Sequence, residues 1–230
     1  MTSSCCSPFW GANQRQFSDV IARRDLRRYR TRGPDSTTRL LRDAILEAGN
    51  GKTVLDVGGG VGALCFELLA MGAERATVVD AAPAYLAAAG EEATRRNLSA
   101  RLKVVHGDFV AIAGDVVPAD VVTMDRVVCC YPAYRPLLEA ALERSRRLLA
   151  FSYPRDLWYV RAAVAIQNLW RALFRNSFRG FVHSVRGMEA LLEQHGFVRM
   201  QRRKTLKWAA DLYVRADASP SLSLSSEARG

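Results

Sequence analysis

Apolar residues recur at helical spacing in two segments near the start of the chain. Arg15 to Arg30 is polar with apolar residues on one side, and Ser36 to Ala48 repeats apolar residues every three or four positions. This spacing is typical of one face of an amphipathic helix. Gly33 interrupts the pattern between the two segments, and Gly49 follows the second as a stop signal. We predict a pair of N-terminal helices within residues 1–50.

The periodicity then changes, because short apolar runs alternate with helical stretches. We predict five strands, at Thr53–Val57, Arg75–Asp80, Leu102–His106, Ala119–Val128 and Leu148–Tyr153. Helices fit between them, at Ala63–Met71, Pro83–Arg96 and Ala133–Arg146. Strands that alternate with helices form a parallel sheet with right-handed crossovers. The predicted fold is therefore α/β, doubly wound and Rossmann-like.

The last third of the chain departs from this alternation. A helical insertion covers about residues 156–195, with a long amphipathic helix at Asp156–Arg175 and another at Val185–His195. Two strands joined by a tight turn follow, at Phe197–Leu206 and Trp208–Arg215, and they are expected to add antiparallel pairing to the sheet. We predict one domain over residues 51–216. The tail at 217–230 is rich in serine and lacks aromatic residues, which predicts disorder.

Composition narrows the class of protein. At 230 residues with 49% apolar content, the chain suits one globular domain, without an apolar run long enough to span a bilayer. No secretory signal is evident at the N-terminus, so a cytoplasmic location is expected. The net charge of +10 raises the possibility of a nucleic-acid partner. The arginine clusters lack interleaved stacking aromatics, so we expect no DNA partner and do not favour RNA.

The five cysteines form neither a disulfide framework nor a zinc-binding pattern. Cys5 and Cys6 are adjacent, Cys129 and Cys130 are adjacent, and Cys65 stands alone. Adjacent side chains on a strand point to opposite faces, and CxxC spacing is absent. Reduced thiols and no metal site are predicted.

A glycine-rich loop is the most informative segment. It follows the first predicted strand of the sheet and contains Gly58, Gly59, Gly60 and Gly62. Glycines allow the backbone to turn sharply and to approach a ligand closely. A loop of this kind at the carboxyl end of a first parallel strand marks a nucleotide-cofactor crevice. Its spacing also satisfies the dinucleotide pattern, so an NAD-dependent oxidoreductase remains an alternative.

Acidic residues around the loop favour S-adenosylmethionine (SAM) over NAD. A carboxylate at Asp56 would face the pyrophosphate of a dinucleotide, whereas SAM carries positive charge and no phosphate. Asp80 ends the second strand, where a carboxylate can accept from both ribose hydroxyls. After the third strand, Asp108 can accept from an adenine amino group while Phe109 covers the ring.

These motifs resemble those of class I SAM-dependent methyltransferases over about residues 40–215. The run from Val54 to Gly62 is similar to their first motif, and Asp80, which precedes Ala81, is similar to their second-strand acid. The resemblance extends to an adenine-side turn at Gly107, Asp108 and Phe109, and to a post-fourth-strand motif that begins at Asp125 and Arg126. It implies SAM as the cofactor, methyl transfer to a small acceptor, and a seven-stranded sheet whose last strand is inserted antiparallel.

A second, less extensive resemblance is to magnesium-protoporphyrin O-methyltransferases. It rests on Arg30 and Gly33 followed by Thr38, on Tyr131-Pro132 after the fourth strand, and on Phe181-Val182-His183. The chain departs from that pattern, with cysteine at position 130 and glycine at position 59. A different small acceptor is therefore expected.

Residues near the crevice supply the candidates for chemistry. His183 is the candidate base, although a lone histidine is more often structural. Tyr131 could contact the acceptor or pack as a partly buried aromatic, and Arg126 could pair with an anionic substrate or with Asp125. The N-terminal helices are expected to close over SAM, with Arg30 and Arg32 near its carboxylate. The alternative to a small-molecule acceptor is an RNA-binding or RNA-methylating protein.

The helical insertion is expected to determine the acceptor. Its aromatic residues could pack in the core or could line the binding site of an aromatic acceptor; they are Trp158, Tyr159, Trp170, Phe174, Phe178 and Phe181. Its arginines also fit an interfacial helix in peripheral contact with anionic lipid; they are Arg161, Arg171, Arg175 and Arg179. The sequence predicts no oligomeric state.

Overall fold

The computed structural model describes residues 18–218. Cys5, Cys6, the first residues of the predicted N-terminal helix, and residues 219–230 of the predicted tail lie outside that range. Asp217 and Ala218, which the tail prediction included, belong to a short 3₁₀ helix, Ala216–Ala218.

Seven strands form a single sheet. They are β1 (Thr53–Val57), β2 (Arg75–Asp80), β3 (Leu102–His106), β4 (Ala119–Met124), β5 (Ser145–Pro154), β6 (Phe197–Lys204) and β7 (Trp208–Arg215). Their order is β3-β2-β1-β4-β5-β7-β6. Strands β1 to β5 pair in parallel, and β7 lies antiparallel between β5 and β6. The predicted fold class, including the inserted antiparallel last strand, is confirmed.

Helices cover both faces of this sheet. They are α1 (Asp19–Arg32), α2 (Ser36–Glu47), α3 (Ala63–Ala70), α4 (Pro83–Arg95), α5 (Phe109–Ile112), α6 (Tyr134–Arg144), α7 (Trp158–Leu173) and α8 (Val185–Gln194). No helix among residues 18–218 is both long enough and apolar enough to cross a lipid bilayer.

The sheet separates two apolar cores, because successive strand residues point to opposite faces. Val54 of β1 packs in the core that α1 to α4 cover, together with Leu41. Its neighbour Leu55 packs in the other core, with Leu137 of α6 and Leu191 of α8. The near-continuous apolar sequence of the central strands follows from this burial on both sides.

The predicted fourth strand was too long at its carboxyl end. The strand ends at Met124, and the segment predicted to continue it to Val128 forms a turn and a 3₁₀ helix, Val128–Cys130. Arg126 adopts a left-handed φ of 61°, a conformation incompatible with a strand. Val127 and Val128 are apolar because they are buried beneath this turn, so their sequence resembles that of a strand.

Several other boundaries differ from the predictions by a few residues, among them the long helix predicted at Asp156–Arg175, which covers Trp158–Leu173. Two of the differences have a clear local reason. The first helix continues to Arg32, where Gly33 ends it with a φ of 72°. The helix predicted at Ala133–Arg146 ends at Arg144, because Ser145 already pairs with Ala119 as the first residue of β5.

A buried carboxylate joins α1 to α4. The side chain of Glu92 is fully buried, and it accepts hydrogen bonds from Arg30 at 2.7 Å, Arg95 at 2.6 and 2.9 Å, and Arg96 at 2.6 Å. The bonds from Arg95, followed by those from Arg96 and Arg30, lower the pKa of Glu92 to about 2. Arg30 also contacts the exposed Glu91 at 2.8 Å. These ion pairs fix the N-terminal helices to the sheet domain.

Glu92→Gln is expected to destabilise the protein by about 2 to 3 kcal/mol, because three arginines lose a shared charge that is only partly screened by solvent. Since the native pKa of Glu92 lies below its usual value of about 4.3, the stability difference should be complete at neutral pH and shrink as the pH falls toward 2. Urea unfolding measures it. The control Glu91→Gln should cost less than about 0.5 kcal/mol; equal effects of the two substitutions would contradict this account.

Candidate functional site

A cavity of about 580 Å³ opens at the carboxyl edge of the parallel strands. The glycine loop after β1 forms its floor, and α1 with the start of α2 forms one wall. The turn after β4 and the inner side of α7 form the opposite wall. This edge of a doubly wound sheet is where such folds bind cofactors.

The glycine loop has a backbone conformation in which residues other than glycine would be strained. Gly58, Gly60 and Gly62 have left-handed φ values of 63°, 56° and 78°. A Cβ at Gly59 would lie 2.5 Å from Oδ2 of Asp56, so a side chain is excluded there for a different reason. Gly58, Gly59 and Gly60 line the cavity, whereas Gly62 is the residue that immediately precedes α3 and does not belong to the lining.

Asp80 supports the glycine loop, and its carboxylate can accept further hydrogen bonds. Its Oδ2 accepts from the amide of Gly60 at 2.9 Å, and its Oδ1 accepts from the amide of Ala82 at 2.8 Å. Burial raises the pKa of Asp80, and these two amides oppose the shift. A carboxylate has about four acceptor positions, so its cavity-lining oxygens can still receive hydroxyl donors. Ala81 lines the cavity beside it.

Asp56 lies beneath the loop. It is 1% exposed, and Oδ1 accepts from Thr123 Oγ1 at 2.7 Å. The Cys65 thiol donates to Oδ2 over 3.9 Å. Burial raises the pKa of Asp56 to about 7, against the hydrogen bond from Thr123. The charge of this carboxyl is therefore sensitive to pH near neutrality and to any cation bound above it.

Hydrogen bonds join the turn after β4 to the N-terminal helices. Asp125 accepts from Ser152 Oγ and from Thr38 Oγ1, each at 2.6 Å. Arg126 lies 2.8 Å from Asp35 and 3.8 Å from Asp125. Arg126 therefore already has carboxylate partners, with Asp35 as the nearer one, which the sequence did not suggest.

Asp108 and Tyr131 are brought together, but by their own hydrogen bond. The Tyr131 hydroxyl donates to Asp108 Oδ1 at 2.9 Å, and the same oxygen caps α5 through the amide of Val110. Gly107, Phe109 and Tyr131 line the cavity, whereas Asp108 does not belong to its lining. Phe109 therefore reaches the cavity, and its contact with an adenine ring stays a prediction.

The structure does not bring His183 into the cavity. Its Nε2 lies 2.9 Å from the carbonyl oxygen of Tyr131 and 3.1 Å from that of Val128, so this nitrogen donates to the backbone. Burial lowers the pKa of His183. The ring also packs against Tyr134 and Phe181. It holds the loop after β4 in place, and no contact suggests a base.

Arg30 and Arg32 lie away from the cavity as well. Arg30 is bound by Glu91 and Glu92, as described above, and Arg32 is exposed at the end of α1. Helical periodicity places Arg28 and Arg24 toward the cavity instead, and both belong to its lining. Arg24 and Arg28 are four residues apart, so the helical spacing of this segment already placed them on one side of α1.

Tyr85 was missed by the sequence analysis. It lies in the first turn of α4, lines the cavity beside Gly60, and its hydroxyl donates to Asp25 at 2.7 Å. It is one of the contacts between α1 and the cofactor side of the sheet.

The far end of the cavity is formed mainly by the helical insertion. The inner side of α7 contributes Tyr159, Val160, Ala163, Val164, Gln167 and Arg171. Phe178, Phe181, Lys207 and Trp208 complete this end. The aromatic residues named from the sequence are therefore divided, because Trp158, Trp170 and Phe174 are exposed on the other side of α7.

The adjacent cysteines Cys129 and Cys130 also line the cavity, with their sulfur atoms 3.8 Å apart. Both are free thiols, as is the buried Cys65. Over residues 18–218, no group of three or more His, Cys, Asp or Glu side chains is arranged to hold a metal ion.

A family model described as "Methyltransferase domain" matches residues 54–151. This stretch contains the glycine loop, Asp80, Asp108, Asp125 and the strands that carry them. No curated protein matches the chain.

Solved structures share the fold at low sequence identity. Magnesium protoporphyrin IX methyltransferase from Synechocystis, with bound SAM, is 16% identical over 88% of this chain and 97% of its own, with a TM-score of 0.64. An O-methyltransferase family protein from Burkholderia thailandensis is 16% identical over 93% of this chain and 64% of its own, with a TM-score of 0.71. An O-methyltransferase family 2 protein from Planctomyces limnophilus, in complex with apigenin, is 17% identical over 86% and 65%, with a TM-score of 0.57.

The raised pKa of Asp56 predicts that the affinity for the cofactor depends on pH. A bound ammonium or sulfonium favours the ionised carboxyl, so SAM should bind up to about tenfold more tightly at pH 8 than at pH 6 and release a proton on binding below pH 7. Calorimetric titration in buffers of different ionisation enthalpy measures both effects. Asp56→Asn should flatten the profile and the exposed Asp115→Asn should leave it intact; a flat wild-type profile would show that Asp56 does not sense the cofactor.

Proposed function

We propose that this chain, which is a class I SAM-dependent methyltransferase, methylates a small molecule with an apolar, ring-containing body and a carboxylate. The methyltransferase family match resolves the ambiguity of the glycine loop against a dinucleotide-dependent oxidoreductase. The observation that carries the acceptor proposal is the far end of the cavity. It combines aromatic walls with two cationic side chains that lack a carboxylate partner within residues 18–218.

The residues on the cofactor side fit SAM, which supplies a methyl group activated by a sulfonium. Asp80 would receive the ribose hydroxyls, Phe109 would cover the adenine, and the side-chain-free backbone at Gly58 to Gly60 would lie against the amino-acid portion. The carboxyl of Asp56 beneath the loop suits a positively charged ligand. A pyrophosphate would meet this carboxyl unfavourably.

The N-terminal helices would close the cofactor side. Arg24 and Arg28 of α1 line the cavity and could contact the cofactor carboxylate, in place of the expected Arg30 and Arg32. Thr38 binds Asp125 at 2.6 Å, so α2 is fixed to the turn after β4. We propose that α1 and α2 exclude water from the site as well as holding the cofactor.

An apolar acceptor suits the far end of the cavity. Val160 and Val164 of α7 present aliphatic surface, while Phe178, Phe181 and Trp208 present aromatic surface. Rigid aromatic walls bury a planar ligand at small entropic cost. The hydroxyl of Tyr159 donates to the backbone oxygen of Leu206 at 2.8 Å, so this ring is fixed at the rim.

Two cations at the same end suit an acidic group. Arg171 stacks over Phe178, with its guanidinium carbon 5.0 Å from the ring centroid, and its side chain contacts Asn168 at 3.5 Å. Neither Arg171 nor Lys207 has an ion-pair partner among residues 18–218, where most other arginines around the site do. A carboxylate on the acceptor would supply the missing partner.

The side chains of this chain act by orientation rather than by proton transfer. His183 donates Nε2 to two carbonyls outside the cavity, so it is a positioning residue for the segment that carries Cys129, Cys130 and Tyr131. A carboxylate oxygen is already deprotonated at neutral pH and needs no base. Alignment of the acceptor and exclusion of water can contribute roughly 7 to 11 kcal/mol to the lowering of the barrier.

Asp80→Ala is expected to weaken SAM binding at least tenfold, because it removes the acceptor of the ribose hydroxyls and a support of the Gly60 amide. Calorimetric titration with SAM and with NAD measures this effect; NAD should not bind to either protein. Asp115→Ala, at an exposed position, is the control and should bind SAM normally. Unchanged affinity in the Asp80 variant would reject this cofactor position.

Acceptor chemistry is tested with radiolabelled SAM and a panel of aromatic and polycyclic carboxylic acids, each paired with its amide. Methylation of acids and not of the paired amides is expected. For an accepted acid, Arg171→Gln and Lys207→Gln should each raise KM about tenfold and leave SAM affinity unchanged, because one charge-assisted contact is lost. Arg175→Gln and Lys204→Gln are the matched controls. Equal turnover of acids and amides would refute the carboxylate assignment.

A further inference from the structure

The outer face of α7 exposes an unusual amount of apolar surface. We define this face by six residues with their exposed fractions: Trp158 (79%), Ile166 (67%), Leu169 (72%), Trp170 (64%), Leu173 (73%) and Phe174 (64%). Their positions recur at intervals of three, four and eight, so they share one side of the helix. Contiguous apolar patches of this kind mark interaction sites in proteins.

A few specific contacts on the inner side of α7 hold this helix against the rest of the molecule. Val160 is buried, and Asn168 exchanges hydrogen bonds with the backbone of Gly180 at 2.8 and 2.9 Å. The rings of Trp170 and Phe174 pack against each other, with their centroids 4.8 Å apart. The inner side of the helix is therefore fixed against the cavity, and the outer face is left without a partner within residues 18–218.

The sequence segment that carries this apolar face is basic and contains no acidic residue. Between residues 157 and 188 the sequence contains no aspartate or glutamate, and it contains five arginines: Arg161, Arg171, Arg175, Arg179 and Arg186. Arg161 is paired with Asp156 at the start of the helix, over 2.5 Å. Arg175 is exposed directly beside Phe174. Apolar residues flanked by arginine alone complement a surface that is both apolar and anionic.

We propose that the outer face of α7 docks on the surface of membranes that contain anionic lipid. Tryptophan, phenylalanine and leucine would enter the boundary between headgroups and acyl chains, and the exposed Arg175 would contact lipid phosphates. Because the inner side of the same helix walls the acceptor end of the cavity, docking would bring that end close to the bilayer. Docking does not depend on the carboxylate assignment, since it rests on the other side of the helix.

A second copy of this chain suits the face less well. In a two-fold pair, each outer face would meet an identical one. Arg175 of each copy would then add positive charge to a joint surface whose segments contain no acidic residue between positions 157 and 188. Lipid phosphate supplies that opposite charge, and so we favour the membrane as the occupant.

The test is co-sedimentation of the full chain with two kinds of vesicle. One kind contains phosphatidylcholine alone, and the other contains phosphatidylcholine with about 30% of the anionic lipid phosphatidylglycerol, because anionic lipid attracts basic segments. Binding to the anionic vesicles, weakened by salt, is expected. The double substitution Trp170→Ser with Leu173→Ser should reduce it at least tenfold. The matched control Val198→Ser with Met200→Ser removes exposed apolar residues from β6 and should bind normally.

Charge is tested by Arg175→Glu against Arg146→Glu, two exposed arginines of which only the first adjoins the outer face. Only Arg175→Glu should weaken vesicle binding. SAM affinity and melting temperature should be unchanged in all variants, which separates loss of docking from loss of folding or of cofactor binding. Failure to bind anionic vesicles would overturn the proposal. So would a dimer in light scattering that the Trp170 and Leu173 double variant dissociates, because a second copy would then occupy the face.

Discussion

A backbone segment must lie directly against the acidic ends of two neighbouring strands, and the rest of the site depends on this constraint. Val57 pairs with Val79, so β1 and β2 end side by side, and the amide of Gly60 reaches the Asp80 carboxylate at 2.9 Å. A side chain at Gly59 would collide with Asp56. The loop is therefore held close to two carboxyls and leaves the edge of the sheet open to a cofactor with positive charge. The family model described as "Methyltransferase domain" matches the stretch that contains these residues.

The helices outside the sheet turn this edge into an enclosed site. The N-terminal pair is fixed through Glu92 on one side and through Thr38 and Asp125 on the other. Helix α7 separates the acceptor end of the cavity from an exposed apolar face. A cofactor held by the sheet and an acceptor held by the insertion would therefore meet at the turn after β4, which His183 holds from behind.

Much of the fold could be predicted because its signals are local. The strands and helices follow from apolar spacing, and the acids came together because carboxyl ends of adjacent parallel strands meet at one edge. Contacts between distant segments could not be predicted. Arg30 binds Glu92, which lies 62 positions away in the sequence. The fourth strand ends at Met124, although the apolar Val127 and Val128 that follow have the sequence character of a strand. Helix α7 carries apolar residues on both sides, so composition alone could not tell which aromatics line the cavity.

The central claim is that the glycine loop and Asp80 hold an adenosyl cofactor. A crystal structure of the protein with S-adenosylhomocysteine tests it most directly. The account predicts density for the adenosine ribose within hydrogen-bonding distance of the Asp80 carboxylate, and for the amino-acid portion above Gly58 to Gly60. An empty cleft beside Gly60, or a ligand bound elsewhere on the molecule, would contradict it.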